Sequence, residues 1–127
     1  MEFCEHGGFE VSMPKLIMIS GPTSAETEEA EAENVARLNR AAAEVLRPGH
    51  VPVVGVNAAA PVVDGVEVGD RYEAIMTICL ALAERCDAVL VLGESEGVCR
   101  EREVFERMGR PVYRSLDEIP AGSMFAI

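Results

Sequence analysis

Two short, unbroken apolar runs constrain the fold of this chain more than any other feature. Leu16–Ser20 (LIMIS) stops at Gly21-Pro22, and Ala88–Leu92 (AVLVL) stops at Gly93. Neither alternates polar with apolar, as a strand with one wet face would, so each is expected to be a strand buried on both faces. The segments around them carry a helical period instead. From the polar loop ending at Ser24 to Arg47, Val35, Leu38, Ala42, Val45 and Leu46 recur at helical spacing, and Pro48-Gly49 ends the pattern. Its first turns hold Glu26, Glu28, Glu29, Glu31 and Glu33, which suit the positive end of a helix dipole.

Arg71–Arg85 reads as a second helix, with Ile75, Cys79 and Leu82 on one face and Met76 and Leu80 beside them; Val98–Met108 reads as a third. Val51–Val56, with Pro52 near its start, and Pro111–Arg114 are two further strands, and Ser115–Glu118 reads as a capped final turn. Within the connection 57–69, Asp64-Gly65 flanked by Val62, Val63 and Val66 signals a tight hairpin, hence a small β-flap. Strands alternating with helices of this length imply right-handed crossovers and a covered parallel sheet. The expected fold is α/β, a small Rossmann-like or flavodoxin-like three-layer sandwich with a parallel sheet of four to five strands. It would occupy residues 13–127 as a single domain, with residues 1–12 a flexible N-terminal extension. Ligands of such sheets sit at the carboxyl ends of the strands, beside the point where strand order reverses. The residues to watch are therefore Ser20–Ser24, Asn57 and the flap, and Gly93–Glu101.

Composition limits what those residues serve. Twenty-two acidic against eleven basic residues leave a formal charge of −11, spread as ten against four over residues 1–64 and twelve against seven beyond. Such a surface repels phosphate backbones and anionic headgroups, so neither polymeric nucleic acid nor a membrane surface is an expected partner. With 49% hydrophobic residues, the chain still has material for a core. Cys4, Cys79, Cys86 and Cys99 form no CxxC pair, and His6 and His50 lie far apart, so neither a metal site nor a disulfide framework is expected. The first twelve residues lack the apolar core of a signal peptide, and no apolar run approaches the ~18 residues of a membrane span. A soluble cytoplasmic protein with reduced thiols is expected.

Among the candidate residues, Gly93-Glu94-Ser95-Glu96-Gly97 is a turn before a helix. It either receives an anion on its amides or only turns the chain and caps the helix. GxxxxGK[ST] and GxGxxG are both absent. Glu101 shares a helix face with Val98, Val104, Phe105 and Met108, one turn inside the helix. It is either a carboxylate set into the binding edge with a purpose or a first-turn Glu whose head reaches solvent. Asn34 either reaches the same crevice or is solvated. Asp70 is the expected N-cap of the second helix, and Tyr72 either a flap contact or a partly buried ring.

Ile19-Ser20-Gly21-Pro22, Cys86-Asp87-Ala88-Val89, and Ser95-x-Gly97-x-x-x-Glu101 followed by Gly109-x-Pro111 together resemble the nucleoside 2-deoxyribosyltransferase superfamily, particularly its short bacterial members. The resemblance runs from about Lys15 to Pro120. It implies that Glu101 attacks the anomeric carbon of a nucleoside, giving a glycosyl-enzyme that water or another base resolves. It implies no cofactor, and a substrate contacted by Ser20, Gly21, Pro22, Thr23, Asn34, Asn57, Tyr72, Gly93, Ser95 and Gly97. Relatives with Ser-x-Gly at Ser95 hydrolyse nucleoside 5′-monophosphates, which tilts the expectation toward a 5′-nucleotide N-glycosidase, with Arg71 or Arg100 as candidate phosphate partners. Two positions depart from the pattern: Cys79 stands where the superfamily commonly has Asp, and Thr23 where an aromatic often follows the first loop. A thiol does not carry protons as a carboxyl does. The alternative is therefore a catalytically impaired nucleotide-binding or sensor module of the same fold. The resemblance also implies a homodimer or higher homo-oligomer, with the Val62–Val68 flap and the apolar face of the second helix at the contact.

Overall fold

The computed structural model describes residues 14–121; the expected extension over residues 1–12 lies outside the described residues. Four strands form one wholly parallel sheet in the order β2-β1-β3-β4, with β1 Leu16–Ser20, β2 Val51–Val53, β3 Ala88–Val91 and β4 Val112–Tyr113. Helix α1 (Glu28–Leu46) carries the chain from β1 outward to β2, and α2 (Gly55–Val63) and α3 (Arg71–Ala83) carry it back across β1 to β3. Strand order thus reverses at β1, and the carboxyl ends of β1 and β3 open onto the crevice expected of such a sheet.

Alternation along the two central strands divides the core. Ile17, Ile19, Ala88 and Leu90 face α1, where Leu38, Ala42 and Val45 meet them. Met18, Val89 and Val91 face the other way, onto Ala83 of α3 and Val98, Val104 and Phe105 of α4 (Glu96–Met108). Both faces of the sheet are covered, as the unbroken apolar runs require, and the three-layer Rossmann-like or flavodoxin-like sandwich is the observed architecture. Side chains cap the helix starts: Thr27 accepts from Ala30 N, Asp70 from Glu73 N and Ser95 from Val98 N.

Several segments differ from expectation. The segment read as a β-flap is helix α2 and the turn after it. Asp64-Gly65 ends this helix, Asp64 N–H donating to Ala60 O and Gly65 N–H to Val62 O. Gly55, Ala59 and Val63, four residues apart, form the buried stripe that packs on α3, and that stripe outweighs the hairpin signal. Pro61 lies within this helix on its exposed side. Strand β2 consequently ends at Val53 rather than Val56. Met108 and Leu46, assigned to packing faces, are 44% and 39% exposed at the last turns of their helices. The final turn is a three-residue 3₁₀ helix, Leu116–Glu118, with no side-chain cap from Ser115; instead Glu118 Oε1 accepts from Arg114 N at 2.7 Å. His50, 2% exposed, ties this end to the sheet: its Nδ1 accepts from Lys15 N at 3.1 Å and its Nε2 lies 2.8 Å from Pro120 O.

Candidate active site

A cleft of about 820 Å³ opens at the carboxyl edge of the sheet. Its walls come from the loop after β1 and the first turns of α1, α3 and α4, with Gly55, Val56 and Ala60 of α2 closing one side. Four elements therefore aim their N-terminal ends at one space, as a parallel sheet with crossover helices dictates. The loop is fixed from outside: Asn34 Nδ2 donates to Thr23 O at 3.1 Å. Gly93 takes φ +148° beneath it, and a Cβ there would lie 2.9 Å from Pro22 Cδ, so a side chain at this position would push the loop into the cleft.

Glu101, one turn into α4, lines this cleft on the same face as Val98, Val104 and Phe105, which anchor the helix in the core. Ser20, the last residue of β1 and 1% exposed, donates its hydroxyl to Glu101 Oε1 at 2.5 Å. The Cys79 thiol faces the same carboxylate. Burial pushes the Glu101 carboxyl above its ordinary range, and the donors Ser20 and Cys79 offset part of that rise. Burial first, and then the charge of Glu101, push the Cys79 thiol up to about 12, so it stays protonated at neutral pH. Helix α2 presses on Cys79 from behind: a Cβ at Gly55 would stand 2.8 Å from the Cys79 Sγ. The result is a partly desolvated carboxylate, fixed by a hydroxyl and open to a cavity of ligand size.

Of the residues expected at the site, the cleft gathers Gly21, Pro22, Thr23, Tyr72, Ser95, Gly97 and Glu101. Ser20 lies behind Glu101 rather than on the cleft wall, so its part is to hold that carboxylate. Asn34 and Gly93 act on the loop from outside. Asn57 is exposed on α2 and donates to Asn39 Oδ1 at 2.7 Å, away from the cleft lining, because the segment is a helix and not a flap. Among the described residues the buried Tyr72 hydroxyl has no hydrogen-bond partner, and Arg100 lies over its ring, 5.7 Å from the centroid. Glu96, inside the Gly93–Glu101 stretch singled out from sequence, also lines the cleft, whereas the sequence reading missed Glu28 and Glu31 as lining residues. Their clustering in first helical turns, next to strand ends, was the available signal. Among the described residues no three His, Cys, Asp or Glu side chains cluster so as to hold a metal ion, and no helix is long and apolar enough to cross a membrane.

The fold and the cleft define a small parallel α/β protein with a cleft at its strand-order reversal. Residues 15–114 match the family model described as a domain of unknown function, DUF4406, which spans every strand and helix that builds the cleft. The chain belongs to that family. No curated protein matches it.

Proposed function

We propose that the protein cleaves the N-glycosidic bond of a nucleoside or nucleoside 5′-monophosphate, as an N-glycosidase or a 2-deoxyribosyltransferase-like enzyme. The observation that carries this reading is the Glu101 carboxylate, set into the wall of the cleft and held by Ser20 at 2.5 Å. In the reaction, a Glu101 oxygen bonds to the anomeric carbon as the bond to the base breaks, and water or a second base then displaces the carboxylate. Partial desolvation strengthens the attraction between this carboxylate and the positive charge that develops on the sugar. Ser20 fixes which oxygen is free to attack, because its hydroxyl occupies Oε1. Tyr72 contributes an aromatic wall, and the turn Ser95–Gly97 lines the cleft beside it, a Cβ at Gly97 lying 3.6 Å from the Tyr72 hydroxyl.

A cytoplasmic setting fits the free thiols of Cys79, Cys86 and Cys99. A homodimer fits Val62, Val66 and Val68, which are 62%, 62% and 42% exposed on the outer side of α2 and the following turn. A second reading, a nucleotide-binding or sensor module without turnover, draws on the neutral thiol of Cys79 beside Glu101, which offers no second carboxyl for proton transfer. One experiment separates the two. Wild type and Glu101→Gln are incubated with a panel of nucleosides and their 5′-monophosphates, and free base is followed by chromatography. The catalytic reading expects base from wild type and a loss of roughly 10³-fold or more in the variant. Equal release by both proteins, or none by wild type, would overturn it.

A further inference from the structure

The charges around the cleft are unevenly distributed. Besides Glu101 it is lined by Glu28 and Glu31 in the first turn of α1 and by Glu96, which opens α4. Among the described residues Arg71 is the one cation in the lining, and its guanidinium is engaged: Nε and Nη2 donate to the two oxygens of Asp64 at 2.6 and 3.0 Å. Arg100, stacked over Tyr72, is held by two donors to Glu73 at 2.9 and 3.2 Å. The Ser95 oxygen accepts from the Val98 amide as the helix cap. Among the described residues, a phosphate entering this space would therefore meet four carboxylates and an arginine already paired with a carboxylate.

The second observation concerns protons. A neutral purine or pyrimidine leaves a sugar as an anion unless an acid protonates it, whereas a base already carrying a positive charge leaves neutral. Among the described residues, the groups that bear directly on Glu101 are the Ser20 hydroxyl, which donates to it, and the Cys79 thiol, pushed up to about 12. Neither yields a proton to a departing base at neutral pH. The carboxylates of Glu28, Glu31 and Glu96 supply negative potential across the cleft, which favours a cationic ligand over an anionic one.

We infer that the cleft selects N-glycosides whose base carries a positive charge and whose sugar carries no 5′-phosphate, such as N-alkylpurinium or pyridinium nucleosides; this rests on the N-glycosidase reading above. The Glu101 oxygen forms an ester bond to the anomeric carbon while the bond to the ring nitrogen breaks. The electron pair of the broken bond passes to that nitrogen and cancels its charge. Water then cleaves the ester, giving the free sugar, the restored carboxylate and one proton released to solvent. Glu28, Glu31 and Glu96 hold the cation in the ground state, and no general acid is required.

The test compares 7-methylguanosine, guanosine and 7-methylguanosine 5′-monophosphate by base release. The expected order of kcat/KM is the cationic nucleoside first, with the monophosphate and neutral guanosine below it. Because alkylated nucleosides are also more labile in solution, the decisive comparison is with the triple variant Glu28→Gln, Glu31→Gln, Glu96→Gln. There the ratio for 7-methylguanosine over guanosine falls by roughly tenfold, the sum of three partly exposed charge interactions. The wild-type ratio also falls as ionic strength rises, a readout that needs no variant. An unchanged ratio in the variant and in salt, or guanosine cleaved as readily as its methylated form, would overturn the inference and leave the glycosidase reading standing. No release from any of the three by wild type would overturn both.

Discussion

The bond between Ser20 and Glu101 joins the first strand to the last long helix across 81 residues, and Ser20→Ala probes it directly. Burial raises the Glu101 pKa above its ordinary value of 4.5, and Ser20 is the largest opposing influence. A carboxyl whose folded pKa exceeds its unfolded one favours the fold when protonated. Its contribution is therefore full below the unfolded value and is lost as pH rises through the raised folded value. At neutral pH the folded protein consequently bears the cost of a buried charge, and Ser20 reduces that cost. A hydrogen bond to a charged group is worth about 1.5–3 kcal/mol and one to a neutral group about 0.5–1.5 kcal/mol. Ser20→Ala is thus expected to destabilise the protein by about 2 kcal/mol at pH 7.5 but only about 1 kcal/mol at pH 4, where Glu101 is protonated. The difference of about 1 kcal/mol appears as a further rise of the Glu101 pKa in the variant. Urea unfolding curves for wild type and variant at both pH values measure the two losses, and the acid limb of the activity profile should move upward. Equal destabilisation at both pH values, or a larger loss in acid, would refute the reasoning, because Ser20 would then be filling space and not holding a charge.

Other consequences follow from the same contacts. Gly55→Ala places a Cβ 2.8 Å from Cys79 Sγ and should cost about 1–3 kcal/mol. Pairing it with Cys79→Ala should recover most of that loss in a double-mutant cycle of unfolding free energies. Cys79 and Cys86, pushed up to about 12 and about 11 by burial, should resist a thiol-labelling reagent at pH 8 in the native protein and react on denaturation, as peptide mapping by mass spectrometry would show. In analytical ultracentrifugation at micromolar concentration the protein should sediment as a dimer, and Val62→Asp with Val66→Asp should shift it to monomer. A monomeric wild type would remove the assembly proposal.

Much of this architecture is written in local pattern. The runs Leu16–Ser20 and Ala88–Leu92 admit only strands covered on both sides, and the sheet places them side by side in parallel. Glu101 was legible because Val98, Val104 and Phe105 define the buried face it shares, and a carboxylate on such a face points inward wherever the helix packs. What pattern could not supply were relations between distant segments. Helix α2 was hidden because Asp64-Gly65 between valines matches a hairpin locally, while the stripe of Gly55, Ala59 and Val63 gains its energy only against α3. With the flap gone, Asn57 leaves the site. Ser20 was recognised as a strand-end residue, but its role changes from contacting substrate to holding Glu101, a pairing no local rule reveals. The acidic first turn of α1 was read as a favourable helix start, and only the tertiary arrangement turns Glu28 and Glu31 toward the cleft. Arg71 and Arg100, the candidate phosphate partners, pair with Asp64 and Glu73, contacts no local pattern reveals.

The central claim is that Glu101 is a nucleophile, and a covalent intermediate tests it most directly. A 2-fluoro-substituted nucleoside slows hydrolysis of the glycosyl-enzyme by destabilising its oxocarbenium-like transition state. Intact-mass spectrometry of protein incubated with such a nucleoside should show one added fluorosugar. Peptide mapping should place it on Glu101, and Glu101→Gln should show no adduct. Base release with no adduct, or an adduct on any other residue, would contradict the account.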